Sequence, residues 1–92
     1  MLESFADRDT ERLFEGRRIR RWGLVAKVAT RKLDMLDAAD SLAELAAIPG
    51  NRLEALMGAR AGQHGIRIND QWRVCFVWRD GDAHDVEIVD YH

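Results

Sequence analysis

The apolar residues of the first half of the chain recur at helical spacing. Intervals of three and four residues define one apolar stripe, which predicts a helix over about residues 24–38. Its members are Val25, Val28, Ala29, Leu33 and Leu36. A shorter helix is predicted over residues 8–15, with Asp7 as its N-cap and Gly16 as its stop.

Capping and turn residues define the neighbouring segments. Residues 41–44 read Ser-Leu-Ala-Glu, a capping box that predicts the start of a short third helix. Pro49 and Gly50 end that helix. Residues 2–5 are a candidate for a first strand.

The second half of the chain changes to a period of two. In residues 72–79, Trp-Arg-Val-Cys-Phe-Val-Trp-Arg, the large apolar side chains fall on even positions, as do His84, Val86 and Ile88. Ile66 and Ile68 mark an earlier strand, and turn residues follow at 69–70 and 80–82. The pattern predicts an α+β fold: helices on one face of a small antiparallel sheet, with a C-terminal three-strand meander.

The register of this meander brings polar residues together. Three-residue loops at 69–71 and 80–82 would keep the apolar face continuous. The pairs are then Ile68 with Trp72, Phe76 with Val86, and Val74 with Ile88. On the opposite face, Arg67 lies opposite Arg73, Val89 lies beside Arg73, and Tyr91 is the next residue on that face.

Two arginines side by side favour an anion between them. Like charges opposite each other destabilise a sheet, and the planar guanidinium matches a phosphate. Alternatively, Arg67 and Arg73 pair with Glu87 or Asp85 and form an ordinary solvated face.

The sequence closes on Asp90-Tyr91-His92. The α-carboxylate of a terminal His92 would favour the imidazolium form, which can act as a general acid near neutral pH. The alternative is a frayed terminal histidine. The Tyr91 ring offers a stacking surface for a base. Together with Arg67 and Arg73, these residues predict an RNase without a metal, in which the 2′-OH attacks the adjacent phosphate.

Composition limits the other possibilities. A chain of 92 residues, 47% hydrophobic, suits one domain over 1–92. There is no apolar run of membrane-spanning length, and the N-terminus is unlike a secretory signal. Cys75 is the single cysteine, so no internal disulfide is expected. A reducing, cytoplasmic location is therefore expected. The histidines, at 64, 84 and 92, are far apart, so no metal site is expected.

The net charge of −2 conceals separate charged blocks. Residues 1–32 carry nine Lys and Arg against five Asp and Glu, whereas residues 80–92 carry five acids and no Lys or Arg. A local basic surface for nucleic acid is compatible with an acidic protein. Mixed, ordinary solvated charge is the other interpretation.

Residues 51–58, residues 62–76 and the ending 82–92 resemble the HigB toxins of the RelE superfamily, also called plasmid-maintenance killer proteins. Residues 4–7 and 32–39 resemble them too, so the resemblance spans the chain. It implies a RelE-like fold with two main helices on a small antiparallel sheet. It also implies ribosome-dependent cleavage of translated mRNA in the A site, without metal or cofactor.

The resemblance further implies partners and site residues. The partners are a HigA-like antitoxin with a helix-turn-helix that binds operator DNA, and the ribosome with its mRNA. No membrane is involved. The catalytic positions correspond here to Arg67, Arg73, Tyr91 and His92. Arg60 and Arg79 are candidate RNA-binding residues.

This chain departs from the family pattern at two positions. Met57 stands where many relatives carry a lysine, and Arg60 is a possible substitute for that charge. His64 stands where many carry a tyrosine, and parity predicts that it packs on the Ile66 face.

Two other functions remain open. One is a gyrase poison of the ParE type, which the arginines and the Tyr-His ending disfavour. The other is a non-catalytic module that only binds its antitoxin, which Met57 favours.

Overall fold

A computed structural model of the chain describes residues 1–91. Three helices occupy its first half: α1 (Arg8–Phe14), α2 (Ala26–Ala38) and α3 (Leu42–Ala47). All three were predicted. None of the described helices is both long enough and apolar enough to cross a membrane.

The predicted caps are present. The Asp7 carboxylate accepts from Thr10 N at 3.2 Å, and the Ser41 hydroxyl accepts from Glu44 N at 3.2 Å. Two short 3₁₀ turns, Arg20–Trp22 and Gly58–Arg60, lie outside the α-helices. α2 begins at Ala26, two residues later than the periodicity predicts.

The second half forms a four-stranded antiparallel sheet in chain order. Its strands are β1 (Glu54–Ala55), β2 (His64–Arg67), β3 (Trp72–Arg79) and β4 (Asp82–Asp90). The three-strand meander and the α+β class are therefore confirmed. β1 is an added edge strand of two residues, too short to show any periodicity.

The N-terminal segment does not form the strand considered for residues 2–5. Leu2 and Phe5 instead make isolated parallel bridges to Ala83 and Val86 of β4. These contacts place the start of the chain along the outer edge of β4.

The core lies between the helices and one face of the sheet. The stripe of α2 contributes Ala29, Leu33 and Leu36, all fully buried. The sheet contributes alternate residues of its strands, and the fully buried Trp22 belongs to the same core. The buried sheet residues include Ile66, Val74, Phe76, Val86 and Ile88. Because these side chains point towards the helices, the intervening residues of each strand lie on the other face, called the open face below.

The predicted register is confirmed at the first turn. Arg67 pairs with Arg73, and the Ile68 N–H donates to the Trp72 carbonyl at 2.9 Å. The Asn69 side chain accepts from Trp72 N at 2.7 Å, which closes the three-residue loop. The predicted pairs of Val74 with Ile88 and of Arg73 with Val89 are also present.

The second turn differs from the prediction. Arg79 pairs with Asp82, so the connection has two residues, Asp80 and Gly81, both at positive φ (54° and 80°). The extra residue is absorbed further along as a bulge, marked by a register shift near Phe76 and by Asp85 at φ 51°.

The bulge changes which residue enters the core. Ala83 is fully buried, whereas His84, predicted on the apolar face, is only half-buried. The predicted pairing of Phe76 with Val86 falls at the bulge itself. A two-residue turn reverses parity, and the bulge restores it before Val86 and Ile88.

Candidate functional site

Arg67 and Arg73 lie side by side on the open face. The Arg67 N–H donates to the Asn51 carbonyl at 2.7 Å and so points away from β3. The two arginines therefore form a non-hydrogen-bonded pair, in which the Cα atoms are about 4.5 Å apart. Their side chains are largely covered, 26% exposed for Arg67 and 18% for Arg73. Two positive charges are thus held at the end of the β2–β3 hairpin.

Tyr91 completes this arrangement. The Arg73 Cζ lies 4.7 Å from the centroid of the Tyr91 ring, a cation–π contact. The Tyr91 N–H donates to the Gln71 carbonyl at 2.7 Å, which fixes the backbone of the chain's end on the hairpin. The ring restricts the plane of the guanidinium, and the residue remains 38% exposed. Arg67, Arg73 and Tyr91 are called the arginine–tyrosine cluster below.

A carboxylate that the periodicity did not point to contacts this cluster. Glu54 Oε1 lies 3.0 Å from Arg73 Nη1, and the Glu54 side chain is 44% exposed. The ion pair lacks the alignment of a hydrogen bond, and within residues 1–91 the buried Nη1 has no acceptor. Arg73 is therefore held between a carboxylate and an aromatic ring.

Arg67 has a different partner. It makes an ion pair with Asp70, whose side chain is fully exposed. Such an exposed pair contributes little free energy, so an anion can displace Asp70 at small cost. Neither arginine pairs with Glu87 or Asp85, the partners considered from the sequence.

Glu87 belongs instead to Arg60. Arg60 Nη1 donates to Glu87 Oε1 at 2.7 Å and to Gln63 Oε1 at 3.0 Å. The hydrogen bond to Glu87 raises the pKa of the Arg60 guanidinium above its ordinary value. Beneath them, Cys75 is fully buried, and burial raises the pKa of its thiol. Arg60 is thus a fixed cation on the open face, and its contact with RNA stays a prediction.

Two further residues singled out from the sequence, Arg79 and Met57, are not members of the arginine–tyrosine cluster. Arg79 is exposed at the other end of β3, six residues from Arg73, which is about 20 Å at the usual rise of a strand. Met57 is 85% exposed beside the Gly58–Arg60 turn. His92 lies outside the described residues, so its catalytic role stays a prediction.

His64 occupies the helix-covered face, as parity predicts. Its ring stacks on Phe76 with the centroids 6.3 Å apart and an interplanar angle of 25°. It pairs with Phe76 across the sheet. Within residues 1–91, no group of three or more His, Cys, Asp and Glu side chains is arranged to hold a metal ion.

Glu54 is the one member of the site that periodicity could not identify. It lies in a two-residue strand, and its partner is set by tertiary structure. The only signal was its place in residues 51–58, one of the segments that carry the family resemblance.

Comparison with known proteins identifies the family. The sequence model of one protein family, described as the RelE-like toxin HigB of type II toxin–antitoxin systems, matches residues 3–92. The chain belongs to the HigB-like toxins. Toxin HigB-1 of Vibrio cholerae is 38% identical over 85 residues, 90% of each chain. Endoribonuclease HigB of Proteus vulgaris is 31% identical over an alignment of 94 positions that covers 100% of both chains.

Solved structures agree with the fold of a HigB-like toxin. The YoeB–YefM complex of Staphylococcus aureus contains a chain that superimposes with a TM-score of 0.62 at 16% identity, covering 100% of this chain and 98% of that one. A chain of the YoeB dimer from the same organism superimposes with a TM-score of 0.59 at 18% identity, covering 99% of this chain and 97% of that one. The RelE-like architecture is therefore shown by the fold, while the sequences have diverged.

Proposed function

We propose that this HigB-like toxin is an endoribonuclease that cuts translated mRNA in the ribosomal A site. The observation that carries the proposal is the arginine–tyrosine cluster, where two arginines and an aromatic ring converge beside an exposed carboxylate. The name of the Proteus vulgaris relative supports the same activity.

The two arginines bind the scissile phosphate. Arg73 is held between Tyr91 and Glu54, and among residues 1–91 the ion-pair partner of Arg67 is the exposed Asp70 carboxylate, which a phosphate can displace. A planar guanidinium contacts two phosphate oxygens at once. As the 2′-oxygen attacks, negative charge grows on those oxygens, and both cations stabilise it more than they stabilise the substrate.

Proton transfer needs one acceptor and one donor. Glu54 is the carboxylate beside Arg73, so it takes the proton of the 2′-OH as the new bond to phosphorus forms. The bond from phosphorus to the 5′-oxygen breaks, and Tyr91 or His92 gives that oxygen a proton. The products are a 2′,3′-cyclic phosphate and a 5′-hydroxyl. No step in this scheme requires a metal or a cofactor.

The shape of the site supports dependence on the ribosome. The cluster lies on an open sheet face, and both carboxylates that cover it are substantially exposed. Such a surface does not by itself hold a flexible RNA in the geometry that in-line attack requires. The ribosome supplies that constraint by fixing the A-site codon, which places the toxin in the cytoplasm.

The partner that restrains the toxin is an antitoxin. Membership of a family of type II toxin–antitoxin systems supports an antitoxin partner. A chain of the same fold is found with YefM in the Staphylococcus aureus complex. We infer that it is HigA-like, with a helix-turn-helix that binds operator DNA, so that the toxin reaches DNA only through it.

Purified components test the activity. Ribosomes programmed with a defined mRNA should yield A-site cleavage within minutes of adding the toxin, while the same mRNA without ribosomes stays intact. A parallel gyrase supercoiling assay examines the ParE-like alternative. Inhibited supercoiling with intact mRNA would replace the nuclease proposal by that alternative.

A further inference from the structure

Lys32 is a buried cation that the proposed chemistry does not use. The residue is 6% exposed and lies in the apolar stripe of α2, next to Leu33. Its ammonium donates to Asn51 Oδ1 at 2.5 Å. Burial lowers the pKa of the Lys32 ammonium, and the charges of Arg31 and Arg67 lower it further. A neutral carboxamide compensates poorly for burying a charge, so stability alone does not account for a lysine here.

Asn51 connects this lysine to the open face. The residue is fully buried, and its Nδ2 donates to the Leu45 carbonyl at 3.0 Å, at the end of α3. Its own carbonyl accepts the Arg67 N–H at 2.7 Å. The side chain of Asn51 is thus fastened to two helices, while its backbone holds the strand position of an arginine in the cluster.

The same residue begins the segment that carries Glu54. Residues 51–56, called the edge segment, run along β2, where Glu54 pairs with Gly65 and the Leu56 N–H donates to the Gln63 carbonyl. Gly50 and Arg52 flank Asn51 with φ of 87° and 47°. A non-glycine residue in this left-handed region persists only where its surroundings determine it.

We propose that Lys32 and Asn51 are positioning residues that, from the helix-covered side of the sheet, hold Glu54 and Arg67 at the spacing the phosphate requires. The proposal rests on the nuclease activity proposed above. Neither residue is in the set that touches RNA, so their loss slows the cleavage step and leaves binding to the ribosome unchanged.

Three variants separate positioning from folding. Lys32→Met removes the buried charge and keeps the length of the side chain. Asn51→Leu removes the side-chain oxygen that accepts from the Lys32 ammonium. It also removes the donor to the Leu45 carbonyl, but that carbonyl still accepts the Ile48 N–H at 3.4 Å. The double variant leaves no unpaired polar atom of the pair, so it should fold about as stably as the parent. Lys27→Met is the matched control, because Lys27 is exposed on the same helix.

Amide hydrogen exchange measures the anchor directly. In all three variants the Arg67 amide should exchange about ten times faster than in the parent, while the amide of Val74 in the core keeps its rate. Single-turnover cleavage on programmed ribosomes should fall about ten- to hundredfold at an unchanged half-saturating toxin concentration. Lys27→Met should match the parent in both measurements.

Two results would overturn the positioning role. One is a parental cleavage rate in the stable double variant. The other is exchange that accelerates equally at Arg67 and Val74, which reports general loosening. If the parent itself does not cleave mRNA, the proposed nuclease function fails, and selective exchange at Arg67 still decides whether Lys32 anchors the edge segment.

Discussion

The guanidinium of Arg73 packs on the ring of Tyr91, with 4.7 Å between Cζ and the ring centroid. This contact connects the start of β3 to Tyr91, the last described residue of the chain. Because the ring restricts the plane of the guanidinium, the edge of Arg73 that is proposed to bind the phosphate is oriented before RNA arrives. Preorganised donors of this kind are the largest single contribution to many enzymatic rates.

Arg73→Ala should remove most of the cleavage activity. A lost contact to a phosphate oxygen in the transition state is worth about 100- to 1000-fold in rate, by analogy with an oxyanion donor. Arg73→Lys should recover only part of it, because an ammonium cannot make two parallel hydrogen bonds. Single-turnover rates on programmed ribosomes, with melting temperatures of the same samples, measure both effects. Full activity in Arg73→Ala would remove this residue from the site.

Glu54→Gln tests the proposed proton acceptor. The amide keeps the shape of the side chain and cannot take a proton from the 2′-OH, so the rate should fall about 100- to 10,000-fold. Binding to ribosomes should stay the same or become tighter, since a negative charge near the phosphate is lost. Glu15→Gln, at an exposed position after α1, is the control. A parental rate in Glu54→Gln would leave proton removal to another group.

Much of this arrangement follows from parity, and the rest follows from tertiary contacts. Ile68, Val74 and Ile88 must all face the core. With a three-residue loop at 69–71, that pattern places Arg67 opposite Arg73 and Tyr91 near them. The two-residue turn at Asp80 and the bulge at Asp85 compensate each other, so periodicity cannot separate them from one longer loop.

The contribution of Glu54 was beyond such reasoning. Its partner lies in a strand two steps further along the chain, and a two-residue strand has no period. The link between Lys32 and Asn51 has the same character, because it joins a helix to an irregular segment.

Met57→Lys should increase cleavage if a cation belongs beside the cluster. Met57 is 85% exposed, so a lysine fits without displacing core residues. The gain should shrink as salt rises, because screening shortens the reach of the new charge. It should also be smaller in the Arg73→Ala background, since both groups act on one phosphate. A flat rate with an unchanged melting temperature would show that Arg60 or the ribosome already supplies the charge.

Thr10→Val should destabilise the fold without touching the site. The buried Thr10 hydroxyl donates to Asp7 Oδ1 at 2.5 Å and accepts the Ile88 N–H at 3.1 Å, joining the start of α1 to β4. Leaving these groups unpaired costs about 1–3 kcal/mol. For a protein of this size each kcal/mol lowers the melting temperature by about 4–8 °C. Thermal unfolding measures the loss, and an unchanged melting temperature would contradict the assigned hydrogen bonds.

Mapping of RNA 5′ ends in cells tests the central claim most directly. Primer extension is run on a reporter mRNA after the toxin is expressed without an antitoxin, with the Arg73→Ala variant in parallel. The parent should produce new 5′ ends inside translated codons and none in untranslated regions, and the variant should produce none. Cuts of equal intensity in untranslated RNA, or an unchanged pattern with Arg73→Ala, would contradict ribosome-dependent cleavage by the arginine–tyrosine cluster.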